Sequence, residues 1–490
     1  MKKSAYEVPL RLPIKLDMAS NGEYVPLPEA PVLGKVRALA MARAAENARR
    51  TGQSRRHFLA SLCGVATTLL CLNEAFAYRG DTGGSYLLPA DAGQDPVAAA
   101  AALAGEEFIF DDQTHHVNPE GPWRARDRRW QANLRAFPQG RCGLEDPVDC
   151  YSARHYIKEL FLDSDTAMAV LSHPPAPADA SPLTSEEAAA TRALVQAMDG
   201  SARVLIQGLV MPALPPAQSQ LEQMERMAGE LKVRAWKTYT NWGPDGGGWW
   251  LDDPGVGLPF IEKARRLGVK VIAIHKGLPF SGYDPRYSAS RDVGAVARMY
   301  PDVNFVVYHA GFDHLVREGP YDPARADRGS NSLIKSLRDN GIAPNANVYV
   351  DLGAIWRLLM RSPTLAAHTL GKLLKHVGED RVVWGTDSIW WGSPQDQIQA
   401  FRAFQIAEPL QERYGYPALT PAIKRKVFGL NGLSAFRVAP EEVVGRTAAD
   451  RIGRIRAAYL EAPCPTFTTL GPRNRAEYTA LKRLEGDLPG

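Results

Sequence analysis

Short apolar runs alternate with amphipathic stretches along most of this chain. Several runs, such as residues 271–274 and 305–308, are continuously apolar, which is typical of strands covered on both faces. The pattern predicts eight strands: Glu107–Asp111, Thr166–Leu171, Ala202–Val210, Val233–Thr238, Val269–His275, Asn304–His309, Asn347–Leu352 and Arg381–Thr386. Helical periodicity lies between them, at Ser185–Met198, Gln218–Leu231, Leu258–Leu267, Leu333–Asn340 and Ile355–His376.

Eight strands alternating with helices indicate an α/β fold, and eight is the number that closes a (β/α)8 TIM barrel. An open, doubly wound sheet is the alternative, but no glycine-rich dinucleotide fingerprint follows any early strand. We therefore predict a barrel with loop insertions after strands 1 and 4, at residues 117–152 and 239–256. Both insertions leave the carboxyl ends of strands, the active face of a barrel, so both are candidate lids.

The first residues have the features of an export signal. Ser54-Arg55-Arg56-His57-Phe58-Leu59 is a twin-arginine pattern, a mildly apolar run follows, and Ala75-Phe76-Ala77 has the small residues of a cleavage site. We predict a twin-arginine signal region over residues 1–77, removed after the export machinery has delivered the folded protein to the periplasm. A buried helix is the alternative interpretation of this segment.

The rest of the chain divides by composition. Residues 78–106, rich in Gly, Ala and Asp, predict a linker or loosely packed arm. The barrel is predicted over residues 107–437, and a peripheral helix with a tail over residues 438–490. Of the five cysteines, Cys142 and Cys150 could close a small disulfide loop in an oxidising compartment, and Cys464 is left unpaired.

Composition and charge narrow the class of protein. With 490 residues, 45% hydrophobic and 23% charged, the chain has the composition of an ordinary globular enzyme. Its formal net charge of +4 comes from residues 1–77, which hold 11 Lys or Arg and 6 Asp or Glu and leave 47 basic against 48 acidic residues. We therefore expect no nucleic-acid partner, and no membrane partner once the signal is removed.

Polar side chains end several of the apolar runs. They are Asp111, Gln113 and His115 on the first strand, Lys237 on the fourth, His275 on the fifth, His309 on the sixth and Asp387 after the eighth. Alternation places Asp111, Gln113 and His115 on one face of their strand and Asp112 on the other. Because the carboxyl ends of barrel strands converge, the imidazoles and carboxylates predict a divalent metal site.

These residues resemble those of the amidohydrolase-related (amidohydrolase 2) metal-dependent hydrolases, in the branch that includes aminocarboxymuconate-semialdehyde decarboxylase. VGEDRVVWGTD, residues 377–387, is similar to the family's G-x-x-R-hydrophobic-x-x-G-T-D signature. FGLNGLSAF, residues 428–436, is similar to its closing G-N-A-x-x-x-F segment, with Asn431 as the anchor. The resemblance covers roughly residues 107–437.

The resemblance implies roles for the strand-end residues. His115 and His275 would be metal ligands, Asp387 a ligand that also orients or deprotonates water, and His309 the general acid/base. Gln113 stands where the family's D-x-H-x-H motif has its first histidine, so it would be a weak ligand at best. The metal would be zinc or, as an alternative, manganese. Relatives often form dimers, which makes a homodimer an expectation from resemblance alone.

Three further residues are candidates for substrate binding. Lys237 is interpreted as a cation aimed at a substrate carboxylate; a carbamylated lysine that bridges two metals and a solvated lysine are the alternatives. Trp242 and Trp390 would wall a pocket for a planar or carbocyclic substrate, although aromatic residues also pack around lids.

The sequence thus predicts an exported metal-dependent hydrolase that activates water to cleave a small organic substrate. Non-oxidative decarboxylation of an aromatic or muconate-type acid is the alternative within the same machinery. A metal-poor barrel that binds a ligand without catalysis is the alternative from a different class, and Gln113 is its best support.

Overall fold

Eight parallel strands in sequential order form one sheet, which confirms the predicted barrel. The computed structural model describes residues 11–137, 140, 142–199, 202–243, 247–279, 284–464 and 472–485. The strands are β1 (Ile109–Thr114), β2 (Thr166–Leu171), β3 (Val204–Leu209), β4 (Ala235–Tyr239), β5 (Val271–His275), β6 (Asn304–Tyr308), β7 (Val348–Asp351) and β8 (Val382–Val383). Backbone hydrogen bonds from Asp112 N to Trp384 O (3.0 Å) and from Asp387 N to Gln113 O (2.9 Å) join the chain after β8 to β1 and nearly close the barrel.

Helices surround the barrel and extend beyond it at both ends of the chain. The α-helices are Pro31–Arg50, Arg55–Leu59, Leu62–Ala77, Pro96–Leu103, Trp123–Arg126, Arg128–Ala136, Ala153–Ile157, Ser185–Asp199, Ala217–Gly229, Gly257–Arg266, Val293–Met299, Gly329–Asp339, Ile355–Leu359, Pro363–His376, Gln395–Ala403, Glu408–Tyr414, Pro421–Arg425, Asn431–Ala435, Pro440–Val443, Arg446–Ala449, Arg451–Tyr459 and Arg475–Glu485. The single helix predicted over Ile355–His376 is split in two. Pro363 begins the second helix, and the residue before a proline is disfavoured in helical conformation.

Side chains from alternate positions of the strands fill the barrel interior. Aromatic and aliphatic residues make up this layer: Phe110, Met168, Val170, Ala235, Val271, Ala273, Val306, Tyr308, Tyr349 and Val383. Phe436, from the segment that follows the barrel, meets Phe110 edge to face with ring centroids 5.7 Å apart. The amino-terminal end of the barrel is therefore plugged, and polar groups collect only toward the carboxyl ends of the strands.

Residues 11–80 pack against the barrel and its helices in this structure. Leu62–Ala77, the apolar part of the predicted signal, is a largely buried helix packed against Pro31–Arg50 and Gln395–Ala403. Among the described residues, we find no helix with the length and apolarity to cross a bilayer. Removal of the signal region, which stays a prediction, would expose the apolar surface that this helix covers.

Two smaller features fix the segments around the barrel. Gly84–Tyr86, within the predicted linker, pairs antiparallel with Phe404–Ile406 and so ties that linker to the barrel. A disulfide joins Cys142 to Cys150, as predicted, and Cys464 is a free, exposed thiol. Parts of the two predicted insertions, residues 138–139, 141 and 244–246, lie outside the described residues.

The side chain of Asn431 holds the end of the barrel together. It is 4% exposed and donates hydrogen bonds to Glu379 O and Val382 O, each 2.8 Å long, at the start of β8. We expect Asn431→Ala to lower the free energy of unfolding by about 1–3 kcal/mol, because it leaves two carbonyl oxygens without their donor. Chemical denaturation measures this change. Asn340→Ala, which removes one local bond to Ser336 O at a helix end, is the control and should cost less than about 0.5 kcal/mol; equal losses would contradict the anchoring role.

Candidate active site

The predicted site residues come together at the carboxyl ends of the strands. His275 is the last residue of β5 and His309 directly follows β6, whereas Asp387 lies in the loop after β8. His309 and Asp387 have positive φ angles, 63° and 62°, which turn the chain sharply at the strand ends. Gln113 lies in β1, and His115 directly follows that strand. All five side chains are at most 2% exposed.

Backbone carbonyl oxygens fix the tautomer of each imidazole. The Nδ1 atom of His115 lies 3.0 Å from Ser172 O, and Nδ1 of His309 lies 2.9 Å from Gly353 O. The Nε2 atom of His275 lies 3.3 Å from Leu278 O. A carbonyl oxygen can only accept a hydrogen bond, so each of these nitrogens must carry the hydrogen. The other nitrogen of each ring therefore presents a lone pair.

These lone pairs face one another and the carboxylate of Asp387. His309 Nε2 lies 3.1 Å from His275 Nδ1, and His115 Nε2 lies 3.0 Å from Asp387 Oδ1. In the tautomers set by the carbonyls, no ring hydrogen lies in either contact. Gln113 adds a donor nearby, since its Nε2 lies 3.2 Å from Asp387 Oδ1 and 3.4 Å from His309 Nε2. The arrangement places electron pairs around a centre without placing protons there.

Burial keeps the imidazoles neutral. It lowers the pKa of His115 and of His309 to about 3 in each case, and it lowers the pKa of His275 well below its usual value. The same burial raises the pKa of Asp387 to about 7, opposed by the nearby ammonium of Lys237. Neutral imidazole is the form that binds metal ions, so all three rings have this form at neutral pH.

The donor set fits a divalent cation. A histidine ligand characteristically donates its second ring N–H to a backbone carbonyl or a carboxylate, which is what His115, His275 and His309 do here. Glu23, His275 and His309 also bring one ligand atom each to within 4.8 Å of one another. Imidazole and carboxylate donors together suit zinc and manganese. The individual ligand assignments made from the sequence, including the weak one for Gln113, stay predictions.

The first strand does not follow the regular alternation that we expected. Gln113 and His115, expected on one face, both reach Asp387. The pairing of β1 with β2 is nevertheless irregular between Asp111 and Thr114. Asp112, expected on the opposite face, instead lies among the interior carboxylates near Asp351 and Lys237. Asp111 accepts hydrogen bonds from the backbone and side chain of Thr386 and so supports the loop after β8.

Lys237 and Trp390 lie at the site, and Trp242 lies farther out. The Nζ atom of Lys237 is fully buried, without a hydrogen-bond partner among the described residues, 3.8 Å from the ring centroid of Tyr308. Burial lowers the pKa of this amine to about 7 against the pull of nearby carboxylates. The Trp390 ring stacks on His115 with centroids 5.1 Å apart. Trp242 packs near the guanidinium of Arg129 in the first insertion.

The first insertion covers the site through Trp390. The rings of Trp130, Phe137 and Tyr151 all lie within 6.0 Å of the Trp390 ring, centroid to centroid. The second insertion is also folded inward, with Trp249 donating to Tyr239 O over 3.2 Å. Tyr239 in turn stacks on His275, with ring centroids 5.1 Å apart. The two candidate lids thus contribute aromatic walls above two of the imidazoles.

Three site residues were missed by the sequence analysis. Asp351, the last residue of β7, accepts hydrogen bonds from the backbone of His309 and, over 3.0 Å, from Gly353 N. Asp351 ends an apolar strand, so the rule that polar residues at strand ends lie at the active face would also have identified it. Asn21 donates to Asp387 Oδ2 over 3.1 Å, and Glu23 is 7% exposed beside the imidazoles. No sequence signal connects residues 21–23 with a barrel that begins more than eighty residues later.

Comparison with known proteins assigns the family. A sequence model of the family described as Amidohydrolase matches residues 153–438, more than half of the chain. The chain belongs to this amidohydrolase family and is a metal-dependent enzyme of that superfamily. No curated protein sequence matches it at a significant level.

Solved structures with similar architecture have low sequence identity. The 2,6-dihydroxybenzoate decarboxylase from Rhizobium is 15% identical, with a TM-score of 0.40 over 68% of this chain and 98% of its own. A manganese complex of 5-carboxyvanillate decarboxylase from Novosphingobium aromaticivorans is 14% identical, with a TM-score of 0.43 over 69% of this chain and 97% of its own. A zinc-bound amidohydrolase from Burkholderia multivorans is 17% identical, with a TM-score of 0.42 over 68% of this chain and 100% of its own. Similarity at this level does not transfer a reaction to the chain.

The carboxylate of Asp351 should stabilise the turn that orients the side chain of His309. In Asp351→Asn the side chain keeps one acceptor oxygen for two backbone N–H groups, so one buried N–H loses its partner. We expect the free energy of unfolding to fall by about 1–3 kcal/mol, measured by chemical denaturation. Asp339→Asn, at an exposed helix pair with Lys335, should change it by less than about 0.5 kcal/mol. If the Asp351 variant loses no more stability than this control, Asp351 does not stabilise the turn at His309.

Proposed function

We propose that this amidohydrolase-family enzyme removes CO2, without oxidation, from a small aromatic or muconate-type carboxylic acid. The observation that carries the proposal is the buried amine of Lys237, which points into the site without a hydrogen-bond partner among the described residues. A buried amine of this kind is satisfied best by an anionic acceptor, and a substrate carboxylate is one. From the sequence we expected a hydrolase first and a non-oxidative decarboxylase as the alternative; the buried amine favours the decarboxylase.

The chain would hold a zinc or manganese ion through His115, His275 and Asp387, as the resemblance implies. Such an ion would supply Lewis-acid polarisation of a substrate oxygen or of a water molecule. The protein supplies the remaining functions. Lys237 binds the carboxylate, and the rings of Tyr239 and Trp390 present flat surfaces to a planar acid and exclude water.

His309 is placed to handle the proton. Its Nδ1–H is committed to Gly353 O, so Nε2 is the atom that can accept a proton and pass it on. Loss of CO2 from a carbon atom requires a proton to replace it at that carbon. We propose that His309 Nε2 takes this proton from a water molecule and delivers it to the carbon, while the hydroxide left behind combines with CO2, so that the net reaction is RCO2⁻ + H2O → RH + HCO3⁻.

Hydrolysis of an ester, amide or lactone is the second candidate. Asp387 favours it, because its carboxylate lies among the imidazole lone pairs, where it could take a proton from an attacking water. A barrel that binds a ligand without metal or catalysis is disfavoured by the ligand atoms of Glu23, His275 and His309, which lie within 4.8 Å of one another.

We also propose export through the twin-arginine pathway to the periplasm. The pattern at Ser54 to Leu59 supports it, with Arg55 and Arg56 both exposed, and the disulfide between Cys142 and Cys150 suits an oxidising compartment. The homodimer implied by the resemblance stays a prediction.

The proposed reaction is tested by CO2 release. Metal-loaded enzyme is assayed for evolved CO2 with a panel of hydroxybenzoates and muconate-type acids, and for cleavage of ester and lactone analogues. We expect CO2 release, with kcat/KM at least about 100-fold lower in Lys237→Met, mainly through KM, because the carboxylate loses a buried charged partner. Lys335→Met, at an exposed position on a helix, is the control and should match the wild type.

Cleavage of esters or lactones with no CO2 from any acid would replace the proposal by the second candidate. An unchanged KM in Lys237→Met would remove the residue from substrate binding.

A further inference from the structure

The N-terminal segment, residues 11–30, runs across the mouth of the barrel and is fixed there by buried polar contacts. Lys15 N bonds to Asp396 Oδ2 over 3.0 Å, and the carboxylate of Asp17 pairs with Arg357 over 2.8 Å. Trp391 Nε1 donates to Ala19 O over 2.8 Å. The segment therefore follows a defined path over the loops after β7 and β8.

The C-terminal part of the chain holds the same segment from the other side. Ser20 N donates to Pro472 O over 2.9 Å, and Tyr478 Oη donates to Gly22 O over 2.9 Å. Tyr478 belongs to the helix Arg475–Glu485, which also packs against the first insertion. The tail that we expected to be peripheral thus closes over the segment.

A tight turn points two side chains of the segment into the site. Gly22 has a φ of 91°, in the left-handed region that favours glycine, and its amide is bound by Ser20 Oγ over 3.0 Å. Asn21, before it, reaches Asp387 Oδ2. Glu23, after it, is the residue whose carboxylate approaches His275 and His309 to within 4.8 Å.

The Glu23 carboxylate has the properties expected of a metal ligand. Its Oε2 atom is buried and has no hydrogen-bond partner among the described residues. No Lys or Arg forms a salt bridge with it among the described ion pairs. Lys237 is a nearby positive charge and Asp387 a nearby negative one. Two neighbouring buried carboxylates with no ion between them are unfavourable, so the position is explained if a metal cation completes it.

The charge balance of the site supports the same conclusion. His115, His275 and Asp387 bring one negative charge to a divalent ion, and the amide of Gln113 brings none. Adding Glu23 gives two carboxylates, which neutralise the charge of the ion. A donor from outside the barrel thereby replaces the one that β1 lacks.

We propose that Glu23 is a metal ligand, donated by the N-terminal segment in place of the donor that is missing at Gln113. The inference rests on the proposed function, which requires a metal at this site. It has a consequence for export, because the active enzyme must keep its N-terminal segment. A twin-arginine motif directs transport of folded protein, and Glu23 would be lost if cleavage followed Ala77.

The test measures metal affinity and does not depend on turnover. Metal-free full-length protein is titrated with Zn²⁺ or Mn²⁺ against a chromophoric chelator, and circular dichroism confirms that each variant is folded. We expect Glu23→Gln to bind the ion at least about tenfold more weakly, since it loses an anionic donor without a change of shape. Glu29→Gln, an exposed position of the same segment, should bind as the wild type does.

A second-site variant keeps the test decisive. Gln113→Glu added to Glu23→Gln returns a carboxylate to the same centre from β1, and we expect it to recover most of the lost affinity. Recovery would show that Glu23 supplies the donor that β1 lacks.

Four outcomes would overturn the inference. Wild-type affinity in folded Glu23→Gln would do so while leaving the proposed function intact, provided that His275→Ala abolishes binding. A lower KM in Glu23→Gln with unchanged metal affinity would make the segment a plug that competes with substrate. Periplasmic protein that begins after Ala77 by mass and binds the metal with the affinity of the full chain would also contradict it. If the wild type binds neither ion, the inference and the proposed function fail together.

Discussion

The hydrogen bonds from three imidazoles to the backbone carbonyls of Ser172, Leu278 and Gly353 are the constraint on which the site depends. Each bond assigns the hydrogen of a ring to its outer nitrogen, so the inner nitrogens present lone pairs to one another and to Asp387. Burial prevents these nitrogens from taking up protons at neutral pH. A cation is the simplest species that turns the His275–His309 and His115–Asp387 contacts from unfavourable to favourable.

The barrel supplies this geometry because its strand ends converge. Apolar residues fill the interior up to the level of Tyr308, and the first polar layer begins above them. The positive φ angles at His309 and Asp387 then turn those side chains inward, and the carboxylate of Asp351 holds the backbone of His309 in that turn. The residues that stabilise this end of the barrel therefore also orient the proposed catalytic side chains.

Much of this arrangement could be predicted from the sequence, for a physical reason. Strands that are buried on both faces give continuous apolar runs, and a polar residue at the end of such a run marks the active face. That rule identified His275, His309 and Lys237, and applied once more it would have identified Asp351. At β1 it identified Gln113 and His115, but strict alternation excluded Asp112, which lies among the interior carboxylates where the pairing between Asp111 and Thr114 is irregular.

The contribution of the N-terminal segment could not be predicted in this way. Asn21 and Asp387 are 366 residues apart, and their contact depends on the path of the whole chain, which no local pattern encodes. The apolar stretch after the twin arginines is compatible with both a signal and a buried helix, since each requires similar hydrophobicity. The structure places that stretch in a packed helix and brings a carboxylate oxygen of Glu23 within 4.8 Å of ring nitrogens of His275 and His309.

Anomalous X-ray diffraction from crystals of the full-length, metal-loaded protein, collected at the absorption edge of zinc or manganese, tests this account most directly. The account predicts one peak per chain, at about 2.0–2.3 Å from an inner nitrogen of His115 and of His275 and from carboxylate oxygens of Asp387 and Glu23. A peak coordinated without Glu23, or no peak among these residues, would contradict it.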